Sequence, residues 1–147
     1  RESMVKTLKS VFGDKFGVYG HNWGEISSGS ITNYAEEGKV YRSCKIAISL
    51  SHFERTKYAS DRLFRILGSG AFCLTHNYPE LEKDFKPGKD LDVFNSIDEL
   101  VSKIKYYLDN EKIRNKIATS GCKVARTNFS WHNFASNLKL LTDNLKK

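Results

Sequence analysis

The sequence predicts an α/β fold: a Rossmann-like parallel sheet flanked by helices, with a C-terminal helical tail. Three observations carry that prediction. Short apolar runs recur at residues 46–50 (IAISL), 71–75 (AFCLT) and 91–94 (LDVF). Compact runs of this kind suit strands covered on both faces. Helical segments with their own start and stop signals lie between them, and strand–helix alternation favours a parallel sheet with crossover helices. After the last run, three helical segments follow one another. A chain of 147 residues fits one domain, read as residues 1–147.

Each element has a local reason. Val5, Leu8, Val11 and Phe12 fall at helical spacing, and Gly13-Asp14 ends that helix. Residues 15–20 (KFGVYG) read as a short strand. Residues 21–30, rich in Gly, Ser, Asn and Trp, read as a loop. Residues 31–37 read as a turn or short helix broken at Gly38, and residues 40–45 as a further short helix or turn. The strand at 46–50 leads into a polar connection at 51–59. Ser60 is an N-cap with Asp61 in the first turn, opening a helix through Leu63, Phe64, Ile66 and Leu67. Gly68-Ser69-Gly70 ends it, with a left-handed C-cap. After the strand at 71–75 comes the loop His76-Asn77-Tyr78. Pro79 then starts a short helix over 80–85. Pro87-Gly88 is a turn before the strand at 91–94. Ser96 with Glu99 is a capping box opening an amphipathic helix through Leu108. A helix over 111–127 and a last one capped by Ser130 complete the chain.

Composition limits the function classes. Apolar residues make up 39% and charged residues 28%, as in ordinary globular domains. Lys and Arg number 24 against 17 Asp and Glu, a net +7, which suits an anionic partner. The basic residues are spread along the chain, whereas a nucleic-acid footprint is clustered, so nucleic acid is not the predicted partner. Cys44, Cys73 and Cys122 form no C-x-x-C pair, which argues against a zinc ribbon and fits a reducing, cytoplasmic setting. No apolar run reaches the length of a membrane span. No pair of histidines has helical metal spacing, so no metal site is predicted.

In a parallel α/β sheet, ligands bind beyond the carboxyl ends of the strands. That rule selects residues 20–23, 51–60 and 76–80. The start of the helix at Ser60 is a candidate anion site by its N–H groups and dipole, the alternative being that Ser60 only caps the helix and Arg62 is solvated. Arg62 lies in its first turn, where a cation is unfavourable unless an anion or Asp61 compensates. Lys57 and Arg65 are within reach of the same place. Gly68-Ser69-Gly70 is not a dinucleotide loop, because it follows a helix and precedes a strand, the reverse of that motif. His76 is a candidate base because the unperturbed histidine side chain changes charge near neutrality, but a lone loop histidine is more often a surface hydrogen-bonding residue. Tyr19, Trp23, Tyr58 and Tyr78 sit near strand ends, where an aromatic ring either stacks on a ligand or plugs the core. No catalytic base is identified.

Four stretches together resemble a known family: YRSCKIAIS, RLFRILGSGAFCLT, PELEKDFKPGKDLDVF and SIDELVSKIKYYL. They look like the C-terminal part of group 1 glycosyltransferases, closest to the CgeB-like branch, and VYGHNW resembles that branch's first strand and turn. The resemblance runs from Phe16 to Phe134. It implies one half of a GT-B fold, the half that binds a nucleotide-sugar donor. A separate acceptor-binding N-terminal domain would lie outside this chain. The nucleotide sugar would be a substrate, with no cofactor and no divalent metal required.

Carried over position by position, the resemblance implies that Arg62 sits by the donor diphosphate, with Ser60 and Asp61 at the helix start facing it. Tyr58 and Ala59 would lie toward the sugar. Thr75, His76, Asn77 and Tyr78 would lie near the nucleoside or phosphates, and Gly20 and Trp23 near the base. Two positions depart from the family. Arg65 stands where relatives carry a glutamate that holds the donor ribose, and Lys57 where broader relatives carry another. A carboxylate accepts hydrogen bonds from a diol, whereas a guanidinium only donates. The alternative expectation is therefore a non-catalytic interaction module that kept the fold and lost standard donor binding.

Overall fold

The computed structural model describes residues 1–51 and 58–145. Its centre is a sheet of three parallel strands in the order β1 (Ala47–Ser49), β2 (Cys73–His76), β3 (Asp92–Phe94). Ala47 pairs with Cys73, and Thr75 with Val93. Around it run α1 (Glu2–Phe12), α2 (Tyr34–Ser43), α3 (Asp61–Ser69), α4 (Ile97–Asp109), α5 (Glu111–Asn128) and α6 (Trp131–Asn144). This is the expected Rossmann-like α/β architecture with a helical tail.

Alternation along the strands sorts side chains into two cores. Ile48, Leu74 and Phe94 join Met4, Val5 and Leu8 of α1 and Leu100, Ile104 and Tyr107 of α4. Ala47, Cys73 and Val93 join Leu63, Ile66 and Leu67 of α3, together with Leu81, Phe85 and Leu91. Helix α5 belongs to both, through Ile117 and Ala118 in the first and Ala125 in the second. It reaches the second by close approach: a Cβ on Gly121 would lie 1.9 Å from the backbone oxygen of Asp90. By contrast α6 buries none of its residues, and Phe134, Leu138 and Leu141 on it are exposed.

Helix ends follow the expected chemistry. Ser60 Oγ accepts from the Arg62 N–H, Ser96 Oγ from Glu99 and Ser130 Oγ from Asn133. Gly70 closes α3 in the left-handed conformation at φ 88°. The return arm of the capping box shifts by one residue, since Glu99 Oε2 accepts from the Asn95 N–H at 2.8 Å.

Three local expectations fail. Residues 15–20 are not a strand. Their backbone pairs with the following loop instead: Ser28 N–H donates to Val18 O, and Gly20 N–H to Gly29 O at 2.9 Å. Gly38 does not break a helix. Asn33 caps α2 from outside, accepting from Glu36 N–H at 2.9 Å, and the helix runs through the glycine to Ser43. A single glycine costs a helix only about 1 kcal/mol, which the surrounding structure absorbs. The helix expected over 80–85 is a 3₁₀ turn, Leu81–Lys83, because Glu80 takes the left-handed conformation at φ 68°. Among the described residues no helix is long and apolar enough to cross a membrane.

Candidate functional site

Parallel strands place their carboxyl ends at one edge of the sheet. Ser51 follows β1, His76 ends β2 and Asn95 follows β3. Hydrogen bonds tie the three together. Ser51 N–H donates to His76 Nδ1 at 3.4 Å. Asn77 Nδ2 donates to Asn95 Oδ1 at 3.2 Å, and Asn77 N–H to Phe94 O at 3.0 Å. With Nδ1 accepting, the neutral His76 ring carries its proton on Nε2 and is a donor there.

The same edge holds the start of α3. Ser60 N–H donates to Ser51 Oγ at 3.2 Å, which pins the helix start to the end of β1. Ser60 Oγ then caps Arg62 N–H at 3.4 Å and donates to Asp61 Oδ1 at 3.3 Å. Ser60 O takes the Leu63 N–H. The Arg62 and Leu63 N–H groups are thus taken within the turn, and the positive end of the helix dipole lies at the polar rim.

Two arginines on this helix have opposite fates. Arg65 Nη1 donates to Asp61 Oδ2 at 2.8 Å, its Nε lies 3.0 Å from Glu37 Oε2, and its guanidinium sits 5.1 Å over the Tyr34 ring. Glu37 also accepts from Tyr41 Oη at 2.6 Å. Burial, followed by that carboxylate, pushes the Tyr41 phenol well above its ordinary range. Arg62 is half-buried, and among the described residues its guanidinium makes no ion pair and no hydrogen bond. The nearby carboxylate of Asp61 is already engaged by Arg65.

The other expected residues divide. Tyr58 is exposed and Ala59 half-buried, both directly before the Ser60 cap. Lys57 lies outside the described residues. Thr75 is 1% exposed, enclosed between Ser49 and Val93 in the sheet. Tyr78 is 4% exposed and packs in the second core, with its ring 5.8 Å from that of His76. Its hydroxyl has no hydrogen-bond partner, and burial first, then the charge of Asp84, pushes the phenol up to about 12. Gly20, at φ 126°, lies against the Trp23 indole, and Arg1 stacks 5.8 Å from that ring. Trp23 also lines an open groove of about 400 Å³ with Arg1, Lys6, His21 and Asn22.

Ser51 opens the 51–60 loop that the carboxyl-end rule selected, whereas two further residues at the site, Asn95 and Glu37, were not singled out by sequence. Asn95 is the first polar residue beyond β3, so the same rule applied to that strand finds it. Glu37 carried no such signal, because it reaches Arg65 from a different helix.

Comparison with known proteins bears on the family and the fold. A family model described as glycosyl transferase-like matches residues 1–139. No curated protein sequence matches the chain. Among solved structures, sucrose-phosphate synthase from Thermosynechococcus elongatus is similar over 97% of this chain, with a TM-score of 0.71 at 12% identity. At that identity the likeness is one of fold. The chain spans 34% of that structure's length.

Proposed function

We propose, from the premise that the chain belongs to the glycosyl transferase-like family, that it forms the nucleotide-sugar-binding half of a GT-B glycosyltransferase. The observation that carries this reading is Arg62: a guanidinium without a partner among the described residues, beside the capped start of a helix that faces the carboxyl edge of the sheet. A cation in a helix's first turn is unfavourable on its own and is relieved by an anion. A nucleoside diphosphate supplies that anion, and the positive end of the α3 dipole adds to its binding.

The same arrangement suits catalysis. When the sugar leaves, negative charge grows on the diphosphate, and donors held in place before the reaction stabilise it. Arg62 and the positive end of the α3 dipole would share that task. On this reading the chain's own cations do the neutralising, so no divalent metal is called for. Asn77 and Asn95, at the ends of β2 and β3, would meet hydroxyls of the sugar or nucleoside. Arg65 is committed to Glu37 and Asp61, so a ribose diol would find its acceptor on another residue than the family's usual glutamate. The acceptor would be bound by a second lobe, for which the 34% coverage of sucrose-phosphate synthase leaves room.

Titration calorimetry with UDP, GDP and their glucose conjugates tests the reading. Binding in the micromolar to millimolar range is expected, weakened tenfold or more by Arg62→Ala, a loss of about 1.4 kcal/mol. No binding of either nucleotide to the folded protein at millimolar concentration would overturn it.

A further inference from the structure

The opposite edge of the sheet carries a second basic site. A cleft of about 220 Å³ opens at the amino ends of β1 and β2, lined by Arg42, Lys45, the backbone of residues 70–72, Arg114 and Asn115. Its three charged lining residues are all cations, and they come from the end of α2, the link to β1, and α5.

The bland account of such cations is that they satisfy carbonyls at helix C-termini. Here several of those carbonyls are taken by other donors. At the end of α2, Val40 O accepts from Cys44 N–H and Ser43 Oγ, and Tyr41 O from Cys44 Sγ. At the end of α3, Ile66 O and Leu67 O accept from the Gly70 N–H, and Gly68 O accepts from Arg126 Nε at 3.0 Å. Arg42 and Lys45 make no ion pair and no hydrogen bond among the described residues.

Arg114 sharpens the case. It is 4% exposed, and a buried charge is costly unless it is paired. Nη1 donates to Tyr107 O at 2.5 Å, but the carboxylate nearest Nη2, that of Glu111, is 3.8 Å away and 72% exposed. Arg114 also lies near the start of α5, where the dipole opposes a cation and favours an anion. Arg114 is among the residues that line the cleft.

We propose that this cleft binds a small tetrahedral oxyanion, phosphate or the phosphoryl group of a small phosphomonoester, at a site separate from the nucleotide edge. The volume admits a phosphate with a few attached atoms and excludes a nucleoside diphosphate stretched along it. Three converging cations match its charge and its several acceptor oxygens.

The test is calorimetric titration with inorganic phosphate and with glycerol phosphate, at constant ionic strength in chloride. It is made on protein carrying Arg62→Ala, so that the nucleotide edge does not contribute. Saturable binding is expected to persist in that background and to weaken tenfold or more on adding Arg42→Gln and Lys45→Gln. Both residues are exposed, so these variants should keep the fold, which circular dichroism checks. The same two substitutions in otherwise unaltered protein should leave nucleotide affinity unchanged. Tighter binding of glycerol phosphate than of phosphate would identify a phosphomonoester site, and equal binding a site for free phosphate. Absence of saturable binding in the Arg62→Ala background, or binding insensitive to Arg42→Gln and Lys45→Gln, would overturn the proposal.

Discussion

The two ends of α3 are built from opposite materials. Its start is polar and partly open: a serine cap, an engaged aspartate and an arginine without a partner among the described residues. Its end is closed by backbone approach: Gly70 turns the chain, and Gly121 of α5 lies against Asp90 and Leu67. Nothing larger than hydrogen fits at Gly121 without movement. The difference separates what a residue does for the fold from what it is free to do for a ligand. The closed end positions the sheet, and its glycines serve the turn and the close packing. The open end contributes little to packing and keeps an unused positive charge.

The sharpest way to break that contrast is Gly121→Ala. The new Cβ would meet the Asp90 oxygen at 1.9 Å and Leu67 at 2.9 Å, so α5 must move away. We expect a loss at or above the ~3 kcal/mol top of the usual overpacking range, read from urea denaturation. Gly68→Ala is the control: a Cβ there meets nothing within 4 Å, and stability should hold or rise by about 0.5–1 kcal/mol. Equal effects of the two would show that the closed end is not rigid.

Tyr78 lies in the core between the two ends and tests whether its hydroxyl serves packing or ligand. That hydroxyl is buried without a partner, an arrangement that typically costs about 1–3 kcal/mol. Tyr78→Phe should therefore stabilise the protein, and unchanged nucleotide affinity would assign the residue to the core. There is a pH signature as well. The folded phenol titrates near 12 and the unfolded one near 10. A group raised in this way contributes its full stability below pH 10 and loses it as pH rises toward 12. In the phenylalanine variant that part of the alkaline loss should vanish.

Much of this was legible in advance. The strands at Ala47–Ser49, Cys73–His76 and Asp92–Phe94 declared themselves because buried strands leave apolar runs whatever their neighbours do. Caps at Ser60, Ser96 and Ser130 were equally local. Residues 15–20 misled because alternation describes an extended segment without naming its partner, and here the partner is residues 28–29. Gly38 misled because helix propensity is a weak prior that flanking residues override. At the candidate site, Arg62 could be placed from its position one residue past the helix start. The fate of Arg65 could not, since Glu37 lies 28 positions earlier in the chain and meets it only in the fold.

Smaller effects refine the contrast at the open end. Ser60→Ala should cost about 1 kcal/mol, the usual value of an N-cap, and Ser60→Asp should recover most of it. A loss near 3 kcal/mol would mean that the Ser60 side chain holds more than the first turn of α3 in place. For Arg65→Ala we expect roughly 0.5 kcal/mol. Its side chain is 31% exposed, and ion pairs open to solvent are weakened accordingly. Thermal unfolding at low and high salt should show that this contribution shrinks as salt rises.

The smallest stability change belongs to Arg62, and its sign carries the argument. Without ligand, this guanidinium sits at the positive end of α3 with no carboxylate of its own, so Arg62→Ala should leave stability within about 0.5 kcal/mol or raise it slightly. With UDP or GDP present the order should reverse. Ligand bound only to the folded state stabilises it by mass action. The unaltered protein would gain that stabilisation, while the variant would lose most of it. Arg65→Ala should behave in the opposite way, less stable alone yet still stabilised by nucleotide. Measuring melting temperature for both variants, with and without nucleotide, separates the two roles. If Arg62→Ala is as destabilising as Arg65→Ala without ligand, Arg62 is a structural residue and the open end has no charge to spare for a diphosphate.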